Sequence, residues 1–106
     1  MISREDQKRY REKMKAKLDE LENKADRLQA KIRGASDDVK QKLRSQVDKL
    51  EQMIRKGRDG LSKLARAGGT AWNSTKKTFE SAWNILKFAV KEVSSRIKKR
   101  TRRKAA

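Results

Sequence analysis

Six apolar residues, Met14, Leu18, Leu21, Ala25, Leu28 and Ile32, follow one another at steps of 4, 3, 4, 3 and 4. An α-helix turns that spacing into one narrow stripe, the seam of a heptad coiled coil. A second stretch repeats the pattern through Val39, Leu43, Val47, Leu50 and Ile54, and continues after Gly57 with Leu61 and Leu64. Ser3 with Asp6 offers a cap at the first helix start, and Gly34 is placed to end that helix as a left-handed C-cap residue. Ser36 or Asp37 can cap the next, with Asp37 and Asp38 against its positive end. Pairs such as Glu20–Lys24 and Glu51–Arg55 add i,i+4 support. Gly57 and Gly60 each cost about 1 kcal/mol relative to alanine, so a bend or fraying is expected there.

The two stripes share one register. In an antiparallel hairpin the numbers of facing residues have a constant sum: Ile32 with Val39, Leu28 with Leu43 and Leu21 with Leu50 all give 71, and Leu18 with Ile54 and Ala25 with Val47 give 72. A single fold-back at 34–36 therefore aligns the whole seam, as short connections favour; the competing reading is one continuous helix that pairs with other chains.

Composition alone gives two conflicting answers. Leu, Ile, Val and Phe make up only 19 of 106 residues, the range of disordered chains, whereas Ala, Glu, Lys, Leu and Arg make up 57, the range of long helices. The periodicity decides for helix. There is no Cys, His or Pro, which removes disulfide frameworks, zinc fingers, thiol nucleophiles and imidazole bases. So few apolar residues cannot build both a core and a water-excluding pocket, so no enzyme, cofactor, metal site or small-molecule substrate is expected. The start, MISREDQKRY, lacks the apolar stretch of a signal peptide, and no segment holds the ~20 apolar residues a membrane span needs. A cytoplasmic protein is expected, associated with nucleoid or membrane if its charge has a partner.

A third segment starts after the helix stop Ala67-Gly68-Gly69, with Thr70 as the expected N-cap. It holds an eleven-residue repeat, AWNSTKKTFES followed by AWNILKFAVKE. Trp72, Phe79, Trp83, Leu86, Val90, Val93 and Ile97 fall within one stripe, bordered by Lys76, Lys87 and Lys98 at the same spacing. Eleven residues in three turns keep such a stripe straight or slightly right-handed. The two tryptophans are then expected to share one environment. Ile85 and Phe88 fall off the stripe and have no role in this reading.

The expected architecture is all-α. An antiparallel coiled-coil hairpin covers 1–67, with helices over about 4–33 and 37–66 and the turn at 34–36. An amphipathic helix covers 70–97, and a basic disordered tail 98–106. The stripe of the third helix is expected to pack, either on the hairpin as a third helix or against the same helix of another chain; because two narrow seams can satisfy each other, it lacks an obvious partner within the chain, which favours a homo-oligomer or docking on a surface.

Around the tandem Ala-Trp the sequence resembles a family of small bacterial coiled-coil proteins of the stress-response type. The residues that carry the likeness are Gly69, Ala71, Trp72, Lys76, Glu80, Ala82, Trp83, Leu86, Lys87 and Ala89. The resemblance implies a coiled-coil fold and no catalytic residue. This chain departs from that pattern in being strongly basic.

The net charge is +17, and it is uneven: residues 1–33 and 34–69 carry +4 each, and 70–106 carry +9. Lys98, Lys99, Arg100, Arg102, Arg103 and Lys104, with Lys76 and Lys87, are the candidate polyanion-binding residues. Nucleic acid held by its phosphates is the leading partner, since no base-reading module is recognisable and the basic excess reaches into the hairpin. The alternatives are a peripheral membrane protein, with the stripe in an anionic interface, and a purely structural oligomer.

Overall fold

A computed structural model describes the backbone of residues 3–105 and the side chains of residues 3–99. It is an all-α bundle of three helices, α1 (Arg4–Arg33), α2 (Asp37–Arg66) and α3 (Thr70–Ala105). The bundle is a rod of 56 × 18 × 16 Å. Its length matches α3, whose 36 residues rise about 54 Å at 1.5 Å each.

The helix ends follow the sequence closely. Ser3 caps α1 by accepting a hydrogen bond from the Asp6 N–H at 3.2 Å. Ser36 stands at the N-cap of α2 with extended backbone but makes no side-chain cap bond. Two details differ. Gly34 ends α1 in the right-handed region, φ −86° and ψ −1°, not left-handed. The left-handed glycine is Gly69, at φ 58°, immediately before α3, and Thr70 is the first helical residue of α3, not its cap.

Met14, Leu18, Ala25, Leu28 and Ile32 of α1 are buried, as are Leu43, Val47, Leu50, Ile54 and Leu64 of α2. Leu21, Val39 and Leu61 pack at their margin. Leu18, which the constant sum sets opposite Ile54, also lies close to Gly57, the next seam position along α2. Helical side chains lean toward their own N-terminus, so antiparallel contacts join higher numbers than the facing backbones do. Outside the seam, Arg58 pairs with both Asp19, at 2.8 Å, and Glu22.

Of the two packing alternatives for the third stripe, the chain adopts the one within itself. α3 folds back antiparallel to α2, packs mainly on it and less on α1, and buries Trp72, Phe79, Leu86, Val90, Val93 and Ile97. The room for it comes from α2. Met53 and Gly60 of α2 and its C-cap Ala67, seven residues apart, are half-buried and widen the apolar face beyond one seam. Gly57 and Gly60 do not interrupt the helix, which is continuous to Arg66. Instead they admit neighbours: a Cβ on Gly57 would stand 3.1 Å from Leu18 Cδ2, and one on Gly60 would stand 3.3 Å from Phe79 Cδ2.

Burial also replaces the eleven-residue reading. Trp72, Lys76, Phe79, Trp83, Leu86, Val90, Val93 and Ile97 step by 4, 3, 4, 3, 4, 3 and 4, a heptad seam like the other two. Eleven residues in a heptad seam cross from one edge of the stripe to the other. Trp72 is accordingly 2% exposed, whereas Trp83 is half-buried with Lys17 Nζ 6.0 Å from its ring. The expected disordered tail is corrected as well: α3 continues without interruption through Ala105. Lys and Arg at 98–104 are compatible with helix, and the turns before them are anchored by Val93 and Ile97.

Candidate polyanion-binding surface

Folding α3 onto α2 fixes which of its charges face water. At about 100° per residue, Lys87, Lys91 and Lys98 lie within about 40° of one another, a row about 16 Å long beside the buried stripe. All three are exposed, and so is Lys99. Lys91 escaped the eleven-residue reading, although its i,i+4 spacing from Lys87 was available to find it. Arg100, Arg102, Arg103 and Lys104 continue α3, with Arg102 one turn beyond Lys98 and Arg103 one turn beyond Lys99 along the backbone; their side chains lie outside the described residues.

Lys76 does not belong to this surface. It is half-buried, its Nζ stands 4.9 Å from the centre of the Tyr10 ring, and it pairs with Glu80 at 3.7 Å. Glu80 falls on the same row of α3, so the row becomes cationic only from Lys87 onward. Arg96 is engaged too, with Glu92 at 3.5 Å and with Gln46 of α2, to which its Nη1 donates at 3.4 Å.

The aromatic cluster behind Lys76 was not foreseen. Tyr10 of α1 stands edge-on to Trp72 at 6.1 Å and to Phe79 at 6.4 Å between ring centres. Burial, and then the Glu80 carboxylate by its charge and a hydrogen bond, push the Tyr10 phenol up to about 12. The Trp72 indole N–H has no acceptor and is the one buried side-chain donor in that state among the described residues. The constant sum of 71 sets Tyr10 opposite Leu61 of α2, so periodicity gave it no partner on α3.

Opposite the buried stripe, Ile85 and Phe88 are 62% and 66% exposed, the two large apolar side chains that α3 leaves in water. Between α1 and α2 near the 34–36 turn lies a groove of mixed sign, with Arg33, Lys40 and Arg44 beside Asp26, Asp48 and Glu51. No group of three His, Cys, Asp or Glu side chains among the described residues could hold a metal ion. None of the described helices is long and apolar enough to cross a membrane.

No protein-family model matches the chain, and no curated protein or solved structure matches it either. The likeness to the stress-response coiled-coil proteins therefore rests on the tandem Ala-Trp segment alone.

Proposed function

We propose that the chain is a non-enzymatic polyanion-binding bundle that holds nucleic acid by its phosphates and reads no bases. The observation that carries this is the exposed row Lys87, Lys91 and Lys98, with Lys99, on a helix whose apolar stripe is already occupied by α2. A membrane helix would need that stripe for lipid, whereas a phosphate-binding helix needs only its cationic flank. Each phosphate neutralised releases condensed counterions, so affinity depends steeply on salt and little on sequence.

A second reading is favoured by Ile85 and Phe88, which could enter an anionic membrane interface with Lys91 nearby. Self-association would use the same pair, because all three heptad seams are filled within one chain.

The test compares duplex DNA, RNA and anionic liposomes across a salt series. On duplex DNA the logarithm of affinity should fall linearly with the logarithm of salt, by about 0.9 per phosphate contact. Exchanging Lys87, Lys91 and Lys98 for Gln should flatten that slope by two to three such contacts. An unchanged slope rejects the row as the binding surface. Liposome binding stronger than nucleic-acid binding, and lost in Ile85→Ser with Phe88→Ser, replaces the first reading with the second.

A further inference from the structure

The outward face of α3 is polar for most of its length, with Ser74, Thr78, Ser81, Asn84, Glu92 and Ser95 in water. Ile85 and Phe88 interrupt it, both largely exposed and neither part of a heptad seam. Their surroundings are cationic. Lys77, Phe88 and Lys99 stand eleven residues apart, so at about 100° per residue they fall within about 40° of one another, at intervals of about 16 Å. Lys87 and Lys91 run beside this line, with Lys91 nearly one turn beyond Phe88. The only two side-chain carboxylates of α3 are already engaged, Glu80 with Lys76 and Glu92 with Arg96. Lys77, Lys87 and Lys91 form no ion pair among the described residues. An exposed ring thus stands in the middle of a strip whose cations lack anions.

Size decides between the occupants that such a patch can take. A stable protein partner, a second copy included, needs about 800 Å² on each side, far more than two side chains supply. A helix lying in a membrane interface sinks a continuous apolar face, and that of α3 is spent on α2. One ring is enough for one base. Aromatic side chains among cations hold single strands, since every base has a π-face and the phosphates follow the charge. A base within a duplex is already stacked on both sides and leaves no face for the ring.

We infer that the outward face of α3 is a single-stranded nucleic-acid site, in which an unpaired base stacks on Phe88 beside Ile85. Lys87 and Lys91 take the neighbouring phosphates, and Lys77 and Lys99 extend the track. This site rests on the polyanion reading and names its substrate class: unpaired strands, held without regard to base identity.

The experiment measures binding of the full chain to three ligands of equal length at one salt concentration: oligothymidylate, a duplex, and a strand with abasic sites in place of bases. Phe88→Leu keeps the apolar bulk and removes the π-face. It should weaken oligothymidylate about tenfold and leave the duplex and the abasic strand unchanged. Phe88→Tyr should restore the parent affinity. In Phe88→Trp the added indole fluorescence should be quenched by oligothymidylate and not by the abasic strand. The side chain lies outside the core, and circular dichroism checks that each variant stays folded. An equal loss on all three ligands in Phe88→Leu, or no loss on any, overturns the stacking site. In the second case a salt slope that still flattens when Lys87, Lys91 and Lys98 become Gln leaves the polyanion reading standing. Binding to none of the three overturns both. Phosphatidylserine liposomes or a second copy, bound equally by the parent and Phe88→Leu but not by Phe88→Ser, with no Phe88→Leu effect on the strand, also overturn the site and assign the apolar pair to that partner.

Discussion

The two halves of the rod are built on the same heptad seam but filled differently. Toward the 34–36 turn the three helices meet through branched aliphatic side chains, Leu28, Ile32, Leu43, Val47, Val93 and Ile97. Toward the 67–69 turn they meet through the rings of Tyr10, Trp72 and Phe79, with Phe79 set against the bare backbone of Gly60. Charge divides the same way. Residues 19–51 of the hairpin net to zero, so the +7 at that half comes wholly from residues 88–106; the other half carries +10 spread over all three helices. A glycine is a defect when a helix is considered alone and a fitting part when a ring faces it. The aromatic half concentrates its packing in few side chains, and it should therefore be the more easily broken.

The largest effect should come from Phe79→Ala, which leaves a ring-sized cavity opposite Gly60 and should cost about 3–5 kcal/mol in denaturant unfolding. Ile97→Ala in the aliphatic half should cost less, because its neighbours are branched and can close on a smaller gap. A larger loss at Ile97 would reverse the comparison.

Next comes a pH dependence confined to the aromatic half. Tyr10 titrates near 12 in the folded chain against 10 when free. The folded state thus favours the protonated phenol, and stability from this residue is whole below pH 10 and drains away as pH rises from 10 toward 12. Tyr10→Phe should remove that component. Every other group is common to both proteins, so the difference between the two unfolding curves isolates the phenol. Tyrosinate absorbance appearing already at pH 10 would place Tyr10 in water.

The smallest effects concern two glycines and have opposite signs. Gly57→Ala gains helix propensity but presses a methyl to 3.1 Å from the fully buried Leu18, for a net loss of about 1 kcal/mol. Gly34→Ala meets nothing nearer than 3.8 Å, at a φ that alanine accepts, and should stabilise by about 0.4–1 kcal/mol. Equal effects at the two sites would mean that the aromatic half is not tight.

Apolar spacing made the fold-back at 34–36 and most of the buried residues of α1 and α2 legible, and Ser3, Gly34 and Ser36 marked the helix limits. The docking of α3 was not legible, because the residues that admit it are the ones without side chains. A hydrophobic pattern records what fills space and is blind to Gly57 and Gly60, which provide it. The visible Ala-Trp repeat also concealed the heptad, since eleven is a sum of heptad steps and aligns the two tryptophans without giving them the same burial. Of the candidate surface, the cations were legible by type, but which of them face water depended on the fold. Lys76, turned onto Tyr10, and Lys91, on the exposed row, are the two that changed places.

Both connections are three residues long, at 34–36 and 67–69. Helices adjacent in the chain are therefore the ones that touch most, while the α1–α3 contact, the only one joining distant segments, is the slightest. A topology of this kind has a low contact order, and chains dominated by local contacts cross their folding barrier in microseconds to milliseconds. Either helix pair can close first, because α2 belongs to both. The order in which a nascent chain acquires its structure is then set by emergence from the ribosome: α1 waits for α2, and α3 arrives at a hairpin already prepared to receive it.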